Sequence, residues 1–424
     1  MNEKNIIKSV APLAQHIQDF IKWIILALIS GVISGLMGSA FSYVITGVTF
    51  LRNSAGWLVF LLPAAGLLIV YLYHKAGQAD NSGTNICLTS IRLNDHIPPA
   101  VMPLIFISSA ITHLFGGSSG REGAALQLGG SMGQLLGDKF GLSSLDKHVL
   151  IMCTMSGTFS AVFGTPMAAA IFSMEVVSIG VMYYSALVPC VLSSLTASYI
   201  ARLLGLVPEA YAVGEIPALS ALLGGKVFIA AIAFAGMSVL FCIILHGAEH
   251  LFKKYIPNPF LRAAAGGAIV IALMLIFRTR DYLGTGTDII KACFTGARAI
   301  PWFAFILKPV FTAATLGSGF KGGEIVPSFF TGATLGYVLG SVLGIPLPLA
   351  AACGMIGVFC GVTNCPITSL LISFELFGFS GMPYFLITVA VSYALSGYYG
   401  LYHSQKIIYS KYSARYINRD TNPL

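Results

Sequence analysis

Charge is what this sequence most lacks. Only 9% of its 424 residues are Asp, Glu, Lys or Arg, against 56% hydrophobic. An ordinary soluble domain carries about 25% charged residues, so that class is excluded. HExxH and paired His/Asp spacings are also missing among the eight histidines, which argues against an intramembrane metalloenzyme; no enzyme activity, bound metal or cofactor is expected. The eight cysteines lack CxxC spacing and fall mostly in apolar segments, which points to packing rather than disulfides or metal ligation. What is present is apolar length: nearly uncharged runs at 22–51, 56–73, 98–115 and 384–401, and a mean hydropathy of +0.83. These read as a polytopic membrane protein. The N-terminal run is too long, and too poor in small residues for cleavage, to be a secretory signal, so it is expected to be the first span.

The net charge of +8 therefore points to cytoplasmic loops and tails, and no nucleic-acid partner is expected. Lys4 and Lys8 precede the first span, while Lys406, Lys411, Arg415 and Arg419 follow the last. By the positive-inside rule both termini should be cytoplasmic. The bilayer is the expected partner of the apolar surface.

Several apolar segments are shorter than the roughly 20 residues a span requires and are interrupted by Gly or Pro: 123–137, 150–160, 165–178, 285–297, 325–343, 349–361 and 366–378. Short helices that meet partway through a membrane are tolerated only where the freed backbone is buried or lines an aqueous cavity, which points to a transport pathway.

An internal repeat sharpens this. CTMSGTFSAVFGTPMAAAIFSME from Cys153 matches CGMIGVFCGVTNCPITSLLISFE from Cys353 without gaps, at an offset of 353 − 153 = 200, and brings Gly157, Phe159, Pro166 and Glu175 onto Gly357, Phe359, Pro366 and Glu375. Upstream, GREGAALQLGGSMGQLLG resembles GGEIVPSFFTGATLGYVLG with a shift of 202, which aligns Glu122 with Glu324 and Gly130 with Gly332. Two homologous halves follow, the mark of a repeat-built transporter with its site near the midplane.

GREG at 120–123, GSGFKGGEIVP at 317–327, FGTPMAAAIFSMEV at 163–176 and the late Tyr402 resemble the CLC family of chloride channels and anion/proton antiporters, over about residues 20 to 405. The resemblance implies an all-α polytopic fold, a CLC-type inverted repeat of two homologous halves with many short, broken and tilted helices. It implies a cytoplasmic segment 1–20, a first transmembrane half 21–215, a second half 216–405 and a cytoplasmic tail 406–424 without a nucleotide-binding domain. A homodimer with one anion pathway per subunit is expected, in a bacterial inner membrane, with halide anions and protons as partners.

The physics of a halide site agrees. In low dielectric an anion needs donors and positive potential without a full countercharge that would trap it. Helix N-termini supply both, and three Gly-rich starts are available at 81–85, 120–124 and 321–327. The candidate anion-binding residues are Ser82, Gly83, Gly123, Glu324, Ile325, Val326 and Tyr402. Glu122, a carboxylate at a helix start, can occupy an anion position and swing away once protonated; the resemblance assigns it as external gate and proton carrier. In proton-exchanging chloride members a second glutamate follows the one matched by Glu175, but here that position is Val176, so Glu324 is the candidate for the internal proton relay. Glu375 is expected to be structural at a helix end. For Lys308 and His113, snorkelling or a structural hydrogen bond is expected.

The branch within the family is divided. GGE at 322–324, TNCP at 363–366, Val176 and GLYHSQ at 400–405 resemble the fluoride-exporting bacterial branch, yet Ser82 stands where that branch has Met or Asn, and Val326 where it has Thr. The expectation is a chloride transporter for which fluoride is open as a second substrate, coupled to protons. A fluoride-specific exporter and a passive chloride channel stand as alternatives.

Overall fold

A computed structural model of the chain describes residues 3–422, with side chains from residue 16 onward. Lys4 and Lys8, on which part of the expected orientation rests, lie outside the described side chains. The helices run α1 (Glu3–Ser54), α2 (Leu62–Lys75), α3 (Asn85–Leu93), α4 (Val101–Leu114), α5 (Glu122–Lys139), α6 (Ser144–Phe163), α7 (Pro166–Glu175) and α8 (Leu187–Leu203). After an irregular connection they continue as α9 (Ala221–Tyr255), α10 (Pro259–Phe277), α11 (Thr287–Thr295), α12 (Ala304–Gly317), α13 (Ile325–Leu343), α14 (Leu347–Thr363), α15 (Pro366–Phe377) and α16 (Met382–Leu395). Helix α1 continues through residue 20, where a separate N-terminal segment was expected to end.

Among the described residues, six helical segments are long and apolar enough to cross a membrane, including His16–Ser54, Ala221–Tyr255 and Ile325–Leu343. The chain is an integral membrane protein. Its outer helices expose large apolar side chains, such as Leu36 and Phe50 on α1, Phe228 and Ile232 on α9 and Ile276 on α10, the surface expected of a chain that lies in lipid. The inner helices differ. In α14 every residue from Leu349 to Thr363 is buried, so this short helix meets protein on all sides, as a broken helix inside a membrane must.

The repeat is visible as packing. Helix α5 lies along α6 and α13 lies along α14, each pair crossing through glycine. A methyl group on Gly129 would come within 2.6 Å of the Thr154 carbonyl and 2.7 Å of Met155 Cα, and one on Gly332 would overlap the Gly354 carbonyl and come within 2.8 Å of Met355 Cα. Likewise Gly133 faces Ile151, and Gly336 faces Ala351. Because 154 pairs with 354 at the expected 200, the glycines pair at 332 − 129 = 203. The shift of 202 read from the sequence is thus corrected by one residue. Gly130 is not the counterpart of Gly332, and Glu324 corresponds to Arg121 rather than to Glu122; Arg121 and Glu324 are both the N-cap residues of their helices.

Glu175 and Glu375 cross between the halves. Glu175 accepts hydrogen bonds from Ile367 N (3.1 Å), Thr368 N (2.8 Å) and Thr368 Oγ1 (2.6 Å) at the start of α15. Glu375 accepts from Met167 N (2.8 Å) and Ala168 N (2.9 Å) at the start of α7. Each helix begins with a proline and has no cap of its own, so each borrows a carboxylate from the other repeat, where the helix dipole also favours negative charge. Both glutamates are therefore held structurally.

One small sheet interrupts the helical architecture. Strands β1 (Ser178–Ile179), β2 (Lys406–Tyr409) and β3 (Tyr416–Asp420) pair in the order β1-β2-β3, with β1 parallel to β2 and β2 antiparallel to β3. The stretch expected as a tail is thus partly folded onto the first half. Gln405 fastens it, donating to Val176 O (3.0 Å) and Thr363 O (2.9 Å). All eight cysteines are buried free thiols.

Candidate functional site

The two halves meet backbone to backbone at the starts of α5 and α13. Gly120 N donates to Gly323 O at 2.6 Å, and Gly323 N donates to Gly120 O at 2.8 Å, an isolated antiparallel bridge. Glycine is required here: a methyl on Gly123 would come within 2.8 Å of Gly323 Cα and 3.1 Å of Glu324 Oε2. The first intrahelical bonds are Ala125 N to Arg121 O in α5 and Ser328 N to Glu324 O in α13. The N–H groups of residues 122–124 and 325–326 therefore precede both ladders, and the positive ends of two dipoles converge on one place. Ile325 and Val326 are buried beside them.

Glu122 is fully buried at this junction. Its Oε2 accepts from Arg121 N (3.1 Å) and its Oε1 from Arg121 Nε (3.2 Å). Arg121 continues outward, donating from Nη2 to Glu209 Oε1 at 2.8 Å, and Tyr211 donates its hydroxyl to Glu209 Oε2 at 3.0 Å. The chain Glu122, Arg121, Glu209, Tyr211 leads from a buried carboxylate through the partly exposed Glu209 to the buried Tyr211, both in the connection between the halves. Glu209 and Tyr211 carried no signal in the sequence, because that connection has neither periodicity nor motif.

Glu324 lies on the other side of the glycine bridge. It is the N-cap residue of α13, yet its side chain makes no capping hydrogen bond. Its Oε2 is buried without a partner among the described residues, as is the hydroxyl of Tyr402. A buried polar atom left unpaired costs about 1–3 kcal/mol, and the Glu324 oxygen is such an atom at the start of α13.

At the start of α3 the structure separates two hydroxyls. Gly83 adopts φ +67°, a left-handed conformation that suits glycine, and its N–H donates to Asn81 Oδ1 at 2.9 Å. Ser82 is exposed and its hydroxyl makes no hydrogen bond among the described residues. Thr84 instead is buried: it donates to Gly123 O (3.3 Å) and accepts from Gln127 Nε2 (3.3 Å), which ties α3 to the first turns of α5. Thr84 sits in the Gly-rich helix start at 81–85, and its β-branched side chain two places after Ser82 was the available signal.

Two titratable groups stand apart from this junction. Lys308 is fully buried and donates to the carbonyls of Tyr282 (3.1 Å) and Gly284 (2.5 Å), so it fastens the 282–284 turn and does not snorkel. His113 pairs through Nδ1 with Ser109 O at 2.8 Å.

Comparison with known proteins agrees with this geometry. Residues 65–397 match the voltage gated chloride channel family. The chain is 35% identical, over 92% of its length and 88% of the relative's, to a chloride/fluoride channel protein of Pseudomonas syringae pv. tomato. It is 26% identical, over 83% and 81%, to the H(+)/Cl(−) exchange transporter ClcA of Vibrio cholerae serotype O1. The crystal structure of a CLC-type fluoride/proton antiporter is similar with a TM-score of 0.88 and 32% identity, covering 91% of this chain and 98% of that one. A slow cyanobacterial Cl−/H+ antiporter shares the fold with a TM-score of 0.75 at 19% identity, covering 88% of this chain and 94% of that one. With two half-repeats meeting at a glycine bridge and the family match spanning most of its length, the chain belongs to the voltage gated chloride channel (CLC) family.

Proposed function

We propose that this protein moves halide anions across a membrane in exchange for protons, with Glu122 as external gate and proton carrier and Glu324 as internal proton relay. One observation carries the reading: two carboxylates from different halves flank the same glycine bridge, one held by an arginine and one with an unpaired oxygen. A protonated Glu122 loses its attraction for Arg121 and for the dipole of α5 and is free to leave the anion position. The N–H groups that open α5 and α13, together with Gly83, Gly123, Ile325, Val326 and the Tyr402 hydroxyl, then line the route, and Ser82 belongs at its solvent-facing end. The halves are 21–215 and 216–405. Both termini face the cytoplasm, supported by Lys411, Arg415 and Arg419 after the last span, in a bacterial inner membrane. The protein works as a homodimer with one pathway per subunit, which the family resemblance supports.

Fluoride as the preferred halide has a specific observation in its favour. A small, strongly hydrated anion needs more hydrogen bonds to offset its dehydration, and a protonated Glu324 with the free Tyr402 hydroxyl would supply two. A relative named for chloride and fluoride, together with a solved fluoride/proton antiporter, supports fluoride as a substrate. Purified protein in liposomes, with chloride or fluoride efflux recorded together with pH, tests both points. Proton movement opposed to the anion is expected; anion flux without proton movement would mean a channel and sink the exchange reading.

A further inference from the structure

We propose that His246, Glu249 and His403 form a binding site for a divalent transition cation of the zinc class. His246 and Glu249 lie three residues apart near the end of α9, on one face of the helix. His403 arrives from the loop after α16, and one donor atom from each of the three residues lies within 4.8 Å of the others. Zinc bonds of about 2.0–2.2 Å hold tetrahedral ligands roughly 3.4 Å apart. The triad therefore closes by a side-chain rotation of roughly an ångström, which the exposed His403 is free to make.

The chemistry of the donors suits the ion. His246 Nε2 lies 2.9 Å from the Gly400 carbonyl, so that nitrogen carries the proton and donates it, and Nδ1 keeps the lone pair. Asn422 Nδ2, which donates to Gly400 O at 2.8 Å, also comes within 3.2 Å of this nitrogen, but the shorter contact is to a carbonyl, which can only accept, and that contact sets the tautomer. A ligating histidine whose other N–H donates to a backbone carbonyl is the outer-sphere arrangement that fixes tautomer and ring orientation in metal sites. Glu249 is paired with Lys253 at 2.6 Å, an exposed pair four residues apart on the helix, of the kind that contributes little and is readily given up. The triad borders a cavity of about 530 Å³, also lined by Tyr399 and His250, with room for a water as fourth ligand.

Histidine spacing alone would point elsewhere. His246, Glu249 and His250 follow an HxxEH pattern, yet the atoms that converge belong to His403, brought from a distant part of the chain by the fold. Because His403 follows Tyr402, an ion here would tie the segment carrying Tyr402 to α9.

Zinc titration of the full-length purified protein, stripped by a chelator and followed by calorimetry, tests the site. One zinc per chain is expected, weakened at least tenfold in His403→Ala, whose exposed side chain makes that variant safe for folding, and likewise in Glu249→Gln; His250→Ala should bind as the parent does. Amide exchange over residues 398–404 should slow on adding zinc to the parent and not to His403→Ala. Absence of saturable binding, binding unchanged in His403→Ala, or binding lost in His250→Ala would each overturn the assignment.

Discussion

Glu324→Gln distinguishes a relay carboxylate from a helix cap, because the two roles carry different costs. A capping side chain is worth about 0.5–2 kcal/mol, and its loss would show as a lower melting temperature. Glu324 makes no capping bond and its Oε2 has no partner, so the isosteric amide removes no hydrogen bond at that atom, and the stability change should stay below the cost of losing a cap. Glu175→Gln provides the scale. That carboxylate accepts three bonds at 2.6 to 3.1 Å from the start of α15, and hydrogen bonds to a charged group contribute about 1.5–3 kcal/mol. The expected outcome is thus a stable Glu324→Gln protein with halide flux retained and proton transport lost, beside a destabilised Glu175→Gln protein. The assay is thermal unfolding in detergent together with halide and pH recording in liposomes. If Glu324→Gln melts early with coupling intact, the carboxylate is a cap and protons reach Glu122 by another route.

Glu122→Gln should mimic the protonated gate, leaving halide flux substantial and insensitive to pH while uphill proton movement disappears; persistence of that movement in liposome recordings would contradict the gating role. Thr84→Val removes the hydroxyl held between Gly123 and Gln127 and should alter the chloride to fluoride permeability ratio more than Ser82→Ala, whose effect should stay within about twofold, or roughly 0.4 kcal/mol. Equal effects in the two variants would remove Thr84 from the site. Gly332→Ala drives a methyl into the Gly354 carbonyl and should cost about 1–3 kcal/mol by overpacking, whereas Gly225→Ala, with open space around it, should be neutral or slightly stabilising; comparable melting temperatures would show that the α13–α14 crossing tolerates expansion.

Much of the architecture was legible in the sequence, for identifiable reasons. Apolar runs interrupted by Gly and Pro mark helix ends, since Pro lacks an N–H and starts helices well; the structure begins α7 at Pro166 and α15 at Pro366, the two prolines that also align the repeats. The gapless match from Cys153 and Cys353 survives in the packing because those residues are buried, where substitution is felt.

Other features were decided only by tertiary structure. Side-chain likeness between GREG and GGE cannot tell a shift of 202 from one of 203, since both align a glutamate or a glycine with something plausible. The helix crossings can, because a glycine displaced by one residue would turn about 100° around the helix and set a side chain against a carbonyl. The same holds for Glu175 and Glu375: each looks like the end of its own helix, and only the fold brings each to the N-terminus of the other's helix. Thr84 rather than Ser82 is buried because burial depends on which side of a turn faces the neighbouring helix. His403 joins His246 and Glu249 because a loop returns to a helix end. Sequence alone determined which segments are apolar, where they break and that they are duplicated, all properties carried by residues close together in the chain. Register between helices and the convergence of distant side chains depend on how surfaces interlock, and that is settled only when the helices pack.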